Sequence, residues 1–462
     1  MTAISEQWVH MVGIAGAGMS GIARVLREQG VRVSGSDLQI NGLTDQLENI
    51  GVQVYSGHSP ANLQEGVDLV VISSAIPTDN VEVQAAADRH IAVIKRGQML
   101  ARMVNAHQGL AVAGAHGKTT TTSMLYSALA ECGLDPTLIV GGEIQGTQLN
   151  ARLGQNEYFV VEADESDASF LDIRPHVAII TNIENDHLDF YKSMDRIQEA
   201  FRQFLDQVAA DGFAMLYGDD PSIQAIRSEV EGRTFTYGEE SSCDYYLQNW
   251  QSCGMGSIFD VYYHHQYLGQ LELIIPGKHN ALNALAAAAT GLQLGQDFQG
   301  LKDGLKKFPG AKRRFQVIAS AGGITIVDDY AHHPTEIQVT ITGAKQFHPG
   351  RLIVVFQPHR YSRTKLLADQ FGGAFRAADL VLITDIYSAG ENPLPDVSGE
   401  LIYRAALDAG CNAEYMPSMD TVEEYMGAEL QAGDLLITMG AGDIWKLGVR
   451  LAGKIPLAIP GV

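Results

Sequence analysis

Residues 110–122 read LAVAGAHGKTTTT. A short apolar run leads into glycines, then a lysine and a line of threonines. A strand that ends in a glycine turn and opens a helix is the unit of a parallel α/β fold. Gly117-Lys118-Thr119 is the GK[ST] core of a phosphate-binding loop. Its lysine belongs on the β- and γ-phosphates of a nucleotide, and its threonine hydroxyl on Mg²⁺. The first glycine of the usual GxxxxGK[ST] spacing falls at Val112, so the loop is tightened, with Gly114 nearest. ATP-binding candidates here are Gly114, His116, Gly117, Lys118, Thr119 and Thr120.

Working outward, YFVVEAD (158–164) is a strand ending in Glu162 and Asp164, where a metal-holding carboxylate belongs. NIENDHLD (182–189) places His187 at the end of another strand. Mg²⁺ prefers oxygen ligands, so His187 taken in isolation reads as an ordinary surface histidine.

Upstream, WVHMVGIAGAGMSGIA (8–23) contains a second glycine loop, Gly16-Ala17-Gly18-Met19-Ser20-Gly21. It follows a strand, opens a helix, and has Asp37 twenty-one residues after Gly16 at the end of the next strand. Those are features of a dinucleotide fingerprint, with glycines for backbone approach, a helix N-terminus for the diphosphate and a carboxylate for a ribose hydroxyl. Alone, the loop predicts an NAD(P)-dependent oxidoreductase, or a tight turn with no ligand. What it recognises physically is a diphosphate flanked by sugar, and a UDP-sugar offers that too.

Composition narrows the field. The 462 residues are 46% hydrophobic and 19% charged, enough for real cores and against disorder. With 32 Lys+Arg against 54 Asp+Glu the net charge is −22, which argues against nucleic acid or an anionic membrane as partner. The basic residues nevertheless cluster: residues 302–314 hold six and one acid, and residues 351–365 hold four and no acid. The four cysteines have no CxxC spacing, which argues against structural zinc or a disulfide framework. MTAISEQW has no basic leader, and no apolar run approaches the ~18 to 20 residues that span a bilayer. A cytoplasmic chain without membrane insertion is expected.

Val/Ile-rich runs alternate with helical patterns along most of the sequence. A break falls near residues 105–109, and LKKFPGAKRRF reads as a linker. Residues 233–273 are Tyr-rich and look antiparallel, His264-His265 reads as solvated strand, and ALNALAAAAT as a buried helix. ITIVDDY, LIVVFQP, LVLITDIY and DLLITMGAGD are strands of a last α/β unit.

GAHGKTTTT, EADESDASF, TNIENDHLDFY, PGKHNALNA, DDYAHHPTE and FQPHRYSRT together resemble the Mur ligases of peptidoglycan synthesis. The resemblance runs from about Val9 to Lys446. GIAGAGMSGIA and SSAIP are similar to the L-alanine-adding members; the members that recycle murein tripeptide onto the same sugar nucleotide are the alternative. The resemblance implies an α/β fold of three domains: an N-terminal Rossmann-like domain for the UDP-sugar (1–107), a central P-loop ATPase-type mixed sheet (108–312) and a C-terminal Rossmann-like amino-acid domain (313–462). It implies an ADP-forming ligase in which ATP phosphorylates the lactyl carboxylate of UDP-N-acetylmuramate and L-alanine attacks the acyl phosphate. The first loop then holds the UDP-sugar rather than NAD, through Gly16, Ala17, Gly18, Met19, Ser20, Ser36, Asp37, Ser74 and Ala75.

By the same resemblance Lys118, Glu162, His187, His332 and Arg360 are catalytic, and Thr119, Glu162 and His187 hold Mg²⁺. His279 and Asn280 contact adenine, with Asn283, Arg313, Arg314, Asp328 and Asp329 also on the nucleotide. Tyr330, His359, Arg360 and Arg363 take L-alanine; an arginine fork suits its carboxylate. For Asp328-Asp329 the plain alternative is a strand cap, for His332-His333 a turn before Pro334, and for Arg360 and Arg363 a surface salt bridge. Several family members carry a carbamylated lysine near the second metal; here that position falls near Phe201, and no lysine lies between Lys192 and Lys278. A monomer or weak homodimer is expected.

Overall fold

A computed structural model describes residues 7–147, 149–185 and 188–455. Within these the first sheet comprises β1 (Trp8–Val12), β2 (Arg32–Asp37), β3 (Gln53–Ser56), β4 (Leu69–Ile72) and β5 (Ala92–Lys95). The order is β3-β2-β1-β4-β5, with every pair parallel. Strand order reverses beside β1, so the loops after β1 and β4 flank the crevice where α/β sheets bind ligands. β1 is buried along its whole length, as expected of a strand covered on both faces. Gly35 in β2 has to be glycine, since a Cβ there would meet the Met11 carbonyl oxygen and the side chain of Ile14.

The second sheet adds β6 (Gln108–Ala113), β7 (Thr137–Ile144), β8 (Leu149–Arg152), β9 (Tyr158–Glu162), β10 (Val177–Ile180), β11 (Phe213–Tyr217), β12 (Thr234–Gly238), β13 (Tyr245–Cys253), β14 (Gly256–Tyr263) and β15 (Gln266–Leu273). Its order is β15-β14-β13-β12-β11-β10-β6-β9-β7-β8. From β13 to β7 the pairs are parallel, and β8 is an antiparallel edge. The expectation of an antiparallel region over 233–273 is therefore corrected at its start, because β12 pairs parallel with both neighbours. Two-residue connections join β13 to β14 and β14 to β15, which antiparallel hairpins permit. His264 and His265 form the second of these turns, at φ 44° and 67°, rather than continuing a strand.

The third sheet comprises β16 (Gln316–Ala321), β17 (Ile324–Asp329), β18 (Leu352–Phe356), β19 (Leu380–Ile383), β20 (Ala413–Tyr415) and β21 (Leu435–Met439). The order is β16-β17-β21-β18-β19-β20, parallel except for the β16–β17 hairpin. The chain forms two compact units. One takes Met1–Gln248, Asp260–Leu271 and Leu282–Phe308; the other takes Asn249–Phe259, Glu272–Ala281 and Pro309–Val462. Lys306 and Lys307, expected in a linker, close the helix Phe298–Lys307. The four cysteines are free thiols. Among the described residues no helix is long and apolar enough to cross a membrane.

In the first unit one continuous apolar cluster runs from Val9, Ile22 and Leu26 to Ala111, Phe159 and Phe201. Beside it lies a polar knot. Glu82, with no exposed surface, accepts from Ser36 Oγ at 2.6 Å, Asn62 Nδ2 at 2.7 Å and the Ser59 amide at 3.0 Å, and meets His10 Nε2 at 3.2 Å. Burial opposes its ionisation, but these partners outweigh burial and hold its carboxyl at about 2. Its contribution to stability is complete above the ordinary carboxylate range and is lost as pH falls from about 4.5 towards 2. Glu82→Ala removes the carboxylate shared by buried His10 and half-buried Asn62, and should cost about 3 kcal/mol in chemical denaturation at neutral pH. An unchanged unfolding midpoint would contradict this.

Candidate active site

The loop after β6 folds as a phosphate cradle. Gly114 has φ +135°, and a Cβ there would collide with Thr181 Oγ1. Gly117 is left-handed at φ +83° and starts the helix Lys118–Glu131. Asn182 and Thr181, after β10, pin the loop: the His116 amide donates to Asn182 Oδ1 at 2.8 Å, and Thr181 Oγ1 donates to the His116 carbonyl at 2.5 Å. Asn283 lies against Gly117, its Oδ1 2.8 Å from where a Cβ would stand. Thr120 is buried in the helix's first turn.

Thr119 and Glu162, the two described metal candidates, are in contact. Thr119 Oγ1 donates to Glu162 Oε2 at 3.0 Å, and the Gly141 amide donates to the same oxygen at 2.9 Å. Both are hard oxygen donors of the kind Mg²⁺ takes. His187, the third candidate, lies outside the described residues. Lys118 Nζ donates to Glu165 Oε1 at 2.8 Å and to the Gly114 carbonyl at 2.5 Å. Burial works to lower its pKa, but Glu165, Glu162 and Asp164 outweigh burial and keep the ammonium charged. Glu165 was not singled out in the sequence; its neighbour Asp164 was the carboxylate in view.

The first glycine loop faces this cradle within the same unit. Gly16 caps the helix Ala17–Glu28, and Met19 and Ser20 are buried in its first turn. Asp37 accepts from the Ala15 amide at 2.9 Å, so it braces the loop. Ser36 is buried and donates to Glu82, while Ser74 and Ala75 are exposed on the loop after β4, across the crevice. Asn150 on β8 donates to the Ala17 carbonyl at 3.0 Å and to Ser20 Oγ at 3.1 Å, tying the loop to the second sheet. From the first loop to the carboxylate beside the second runs a small cleft of about 70 Å³, lined by Gly18, Arg96, Leu100, Ile139, Val140, Gly141, Glu162 and Asp164. Arg96 Nη2 bonds Asp164 Oδ2 at 2.8 Å; burial raises the Asp164 pKa, but Arg96, Lys118 and Ser166 override it and hold the carboxyl at about 2.

The remaining candidates lie in the second unit. Asp328 and Asp329 close β17. Asp328 pairs with Arg313 at 3.0 Å and accepts from Thr438 Oγ1 at 2.8 Å; Asp329 accepts from the amides of Phe315 and Ala331. Burial pushes Asp329 up to about 6 against the pull of Arg314. Arg313 and Arg314 lie 5.0 and 5.1 Å from the Tyr330 ring, and Arg314 pairs with Glu336 at 3.2 Å. His333 caps the helix Pro334–Phe347, so the expected turn before Pro334 is a helix start. His332 and His359 meet edge to face at 5.8 Å, and His359 stacks on Tyr387. Burial pushes His332 down to about 3 and His359 to about 4; Arg363 reinforces both shifts, and Glu336 opposes that at His332. Arg360 is exposed at φ +71°, immediately before the helix Tyr361–Ala374, its amide donating to the Tyr387 carbonyl at 2.9 Å. Arg363 lies in that helix's first turn. Tyr387 had no motif around it to mark it. His279 is half-buried and pushed down to about 4 by desolvation and by Arg314, and the Asn280 side-chain amide donates to the Pro276 carbonyl at 2.7 Å.

Comparison with known proteins accounts for most of the chain. Residues 8–108 match the Mur ligase family catalytic domain, 112–291 the Mur ligase middle domain, and 313–442 the Mur ligase glutamate ligase domain. UDP-N-acetylmuramate–L-alanine ligase of Syntrophomonas wolfei is 58% identical over 456 residues, 98% of each chain. Among solved structures, UDP-N-acetylmuramate-alanine ligase of Thermotoga maritima superposes with a TM-score of 0.83 at 28% identity, over 97% of this chain and 99% of that one. A murein peptide ligase from Psychrobacter arcticus gives 0.73 at 27%, over 97% and 98%. With three family matches in order along one α/β chain and whole-length identity of this order, the chain belongs to the Mur ligase family.

Proposed function

We propose that this protein is an ATP-dependent amide ligase that joins L-alanine to the lactyl carboxylate of UDP-N-acetylmuramate. The carrying observation is the cleft that runs from Gly18 of one glycine loop to Glu162 beside the other. A sugar nucleotide whose diphosphate lies on the N-terminus of the helix Ala17–Glu28 can send its lactyl arm along that cleft towards the γ-phosphate over Lys118. The carboxylate oxygen attacks the γ-phosphorus and ADP leaves; the amine of L-alanine then attacks the acyl carbon, phosphate leaves, and the nitrogen gives up a proton. The cradle binds and orients the phosphates, and Lys118 offsets charge as it shifts between oxygens. Thr119 and Glu162 fit Mg²⁺, which when bound supplies further charge neutralisation there. Tyr330, His332, His359, Arg360 and Arg363 are assigned to L-alanine, with Arg360 on its carboxylate. Tyr330 O and Glu336 surround His332 Nδ1 at 3.0 and 3.2 Å, which keeps the proton on Nδ1 and leaves Nε2 as an acceptor for an amine.

The three-domain partition at 107/108 and 312/313, a cytoplasmic location and a monomer or weak homodimer complete the proposal. The tripeptide-recycling reading is less favoured, given a TM-score of 0.83 to the solved alanine ligase against 0.73 to the murein peptide ligase, and 58% whole-length identity to an alanine ligase. An NAD(P)-dependent oxidoreductase leaves the second glycine loop unused.

The test is phosphate release from ATP with each substrate omitted in turn. Release should require both UDP-N-acetylmuramate and L-alanine; release without either sinks the ligase reading. Turnover with murein tripeptide in place of alanine would point to recycling, and a nicotinamide absorbance change to the oxidoreductase. Lys118→Ala should lower kcat at least ~10²-fold while leaving UDP-N-acetylmuramate affinity within about twofold. Arg360→Ala should raise the KM for alanine roughly tenfold and that for ATP little. Because His332 and His359 are held below the ordinary histidine value, the unfolded chain protonates them first. Their share of stability is therefore complete above about pH 6.5 and is lost as pH falls towards 4. In the folded protein their ring resonances should not titrate between about pH 5 and 9; a midpoint near 6.5 at either ring would be the contrary result.

A further inference from the structure

Nothing in the family motifs marks Arg96. It follows β5, starts the helix Arg96–Val104, and is the single basic side chain among the described residues that line the cleft. The acids on that lining are Glu162 and Asp164. Arg96 touches both ends of the problem. Its Nη1 lies 3.0 Å from where a Cβ on Gly18 would stand, and its Nη2 bonds Asp164 at 2.8 Å. The helix carrying it is packed in place by close approach, since a Cβ on Gly97 would collide with Ser169.

An anionic arm entering this cleft meets two carboxylates, and Lys118 is not among the residues that line it. Unit charges of like sign about 4 Å apart repel by several kcal/mol at a protein-like dielectric, so a carboxylate binds there only beside a compensating cation. Lys118 is committed elsewhere, to Glu165 and the Gly114 carbonyl. A guanidinium has five donors in a fixed fork, and Asp164 uses one edge of it. Asp164 is in turn held by the Ser166 amide at 3.0 Å, so the pair fixes the plane of the fork against Gly18.

We propose that Arg96 is the residue that recognises the lactyl carboxylate of the sugar nucleotide, with Asp164 orienting it. This rests on the ligase reading above, and it adds a specificity element: Arg96 distinguishes UDP-N-acetylmuramate from UDP-N-acetylglucosamine, which has the same nucleotide and amino sugar but no lactyl group. A guanidinium serving the diphosphate instead would strengthen both ligands equally.

Calorimetric binding of UDP, UDP-N-acetylglucosamine and UDP-N-acetylmuramate to the full chain tests this without turnover. The native protein should prefer UDP-N-acetylmuramate. Arg96→Ala should weaken UDP-N-acetylmuramate by about tenfold or more and change UDP-N-acetylglucosamine less than about twofold, so that the preference collapses. Arg96→Lys should keep part of it, since the charge remains and the fork is lost. Asp164→Asn is the decisive control. It removes a negative charge but keeps a side-chain carbonyl that can still accept from Arg96 and orient it, so UDP-N-acetylmuramate should bind as tightly as to the native protein or more tightly. If the ion pair merely held the fold, Arg96→Ala and Asp164→Asn would weaken all three ligands alike and lower the melting temperature together, and the proposal fails. It also fails if Arg96→Ala weakens UDP as much as UDP-N-acetylmuramate, which assigns the guanidinium to the diphosphate. A native protein that binds none of the three overturns the ligase reading and this inference with it; a native protein that binds all three equally overturns this inference alone.

Discussion

Like charges have to converge in this site, and much of its architecture follows from that. Glu162, Asp164 and Glu165 all bear on the single ammonium of Lys118. Such a cluster is stable only if the cation is held and hydrogen-bonded, and half-buried Lys118 meets both conditions through Glu165 and the Gly114 carbonyl. The two positive-φ glycines follow from the same need, because the backbone must approach a phosphate closely enough for its amides to share the load. Thr181 and Asn182 then fix the loop from the next strand, so the cradle is organised before any ligand arrives.

The parts of this arrangement legible in the sequence are those with local chemistry. A glycine turn between a strand and a helix is a local event, and both loops fold as their spacing implies. The carboxylate at the end of β9 was equally visible, since strand ends project their last side chains beyond the sheet. What escaped was tertiary. Arg96 begins an ordinary helix, and its importance comes from Asp164 and Gly18, 68 and 78 residues away in sequence. Glu82 looks like a solvated helix residue in VEVQAAAD, yet it is buried with four partners drawn from distant segments. Tyr387 matters through ring stacking on His359 and a backbone bond to Arg360, neither of which leaves a pattern in the chain. The antiparallel expectation for 233–273 failed at β12 because a Tyr- and Thr-rich strand has the same composition in either orientation.

The net charge of −22 is a poor guide to the second unit. There Arg313, Arg314, Arg360 and Arg363 lie on or beside segments that also carry buried Asp328 and Asp329. The arginines depress the neighbouring histidines, and burial does the larger part of it. A neutral imidazole can accept from an amine, whereas an imidazolium would repel one. The same field that suits an amino acid's carboxylate therefore keeps His332 and His359 in the form that suits its nitrogen.

The two glycine loops belong to one compact unit and share one apolar core, and the residue-scale ties between them are specific. Asn150 holds Ala17 and Ser20, Glu28 accepts from the Leu153 amide at 2.8 Å, and Arg96 holds Asp164. Packing of this density resists small displacements, because each would open voids or break a buried polar bond. The distance between the two loops proposed for the sugar nucleotide and the triphosphate is thus set by folding rather than by binding. For a reaction in which an oxygen of one ligand must attack a phosphorus of the other, that is where fixed geometry has most effect, since an error of about 1 Å in the approach can cost 10²-fold in rate. The candidates for the amine-bearing substrate lie in the other unit.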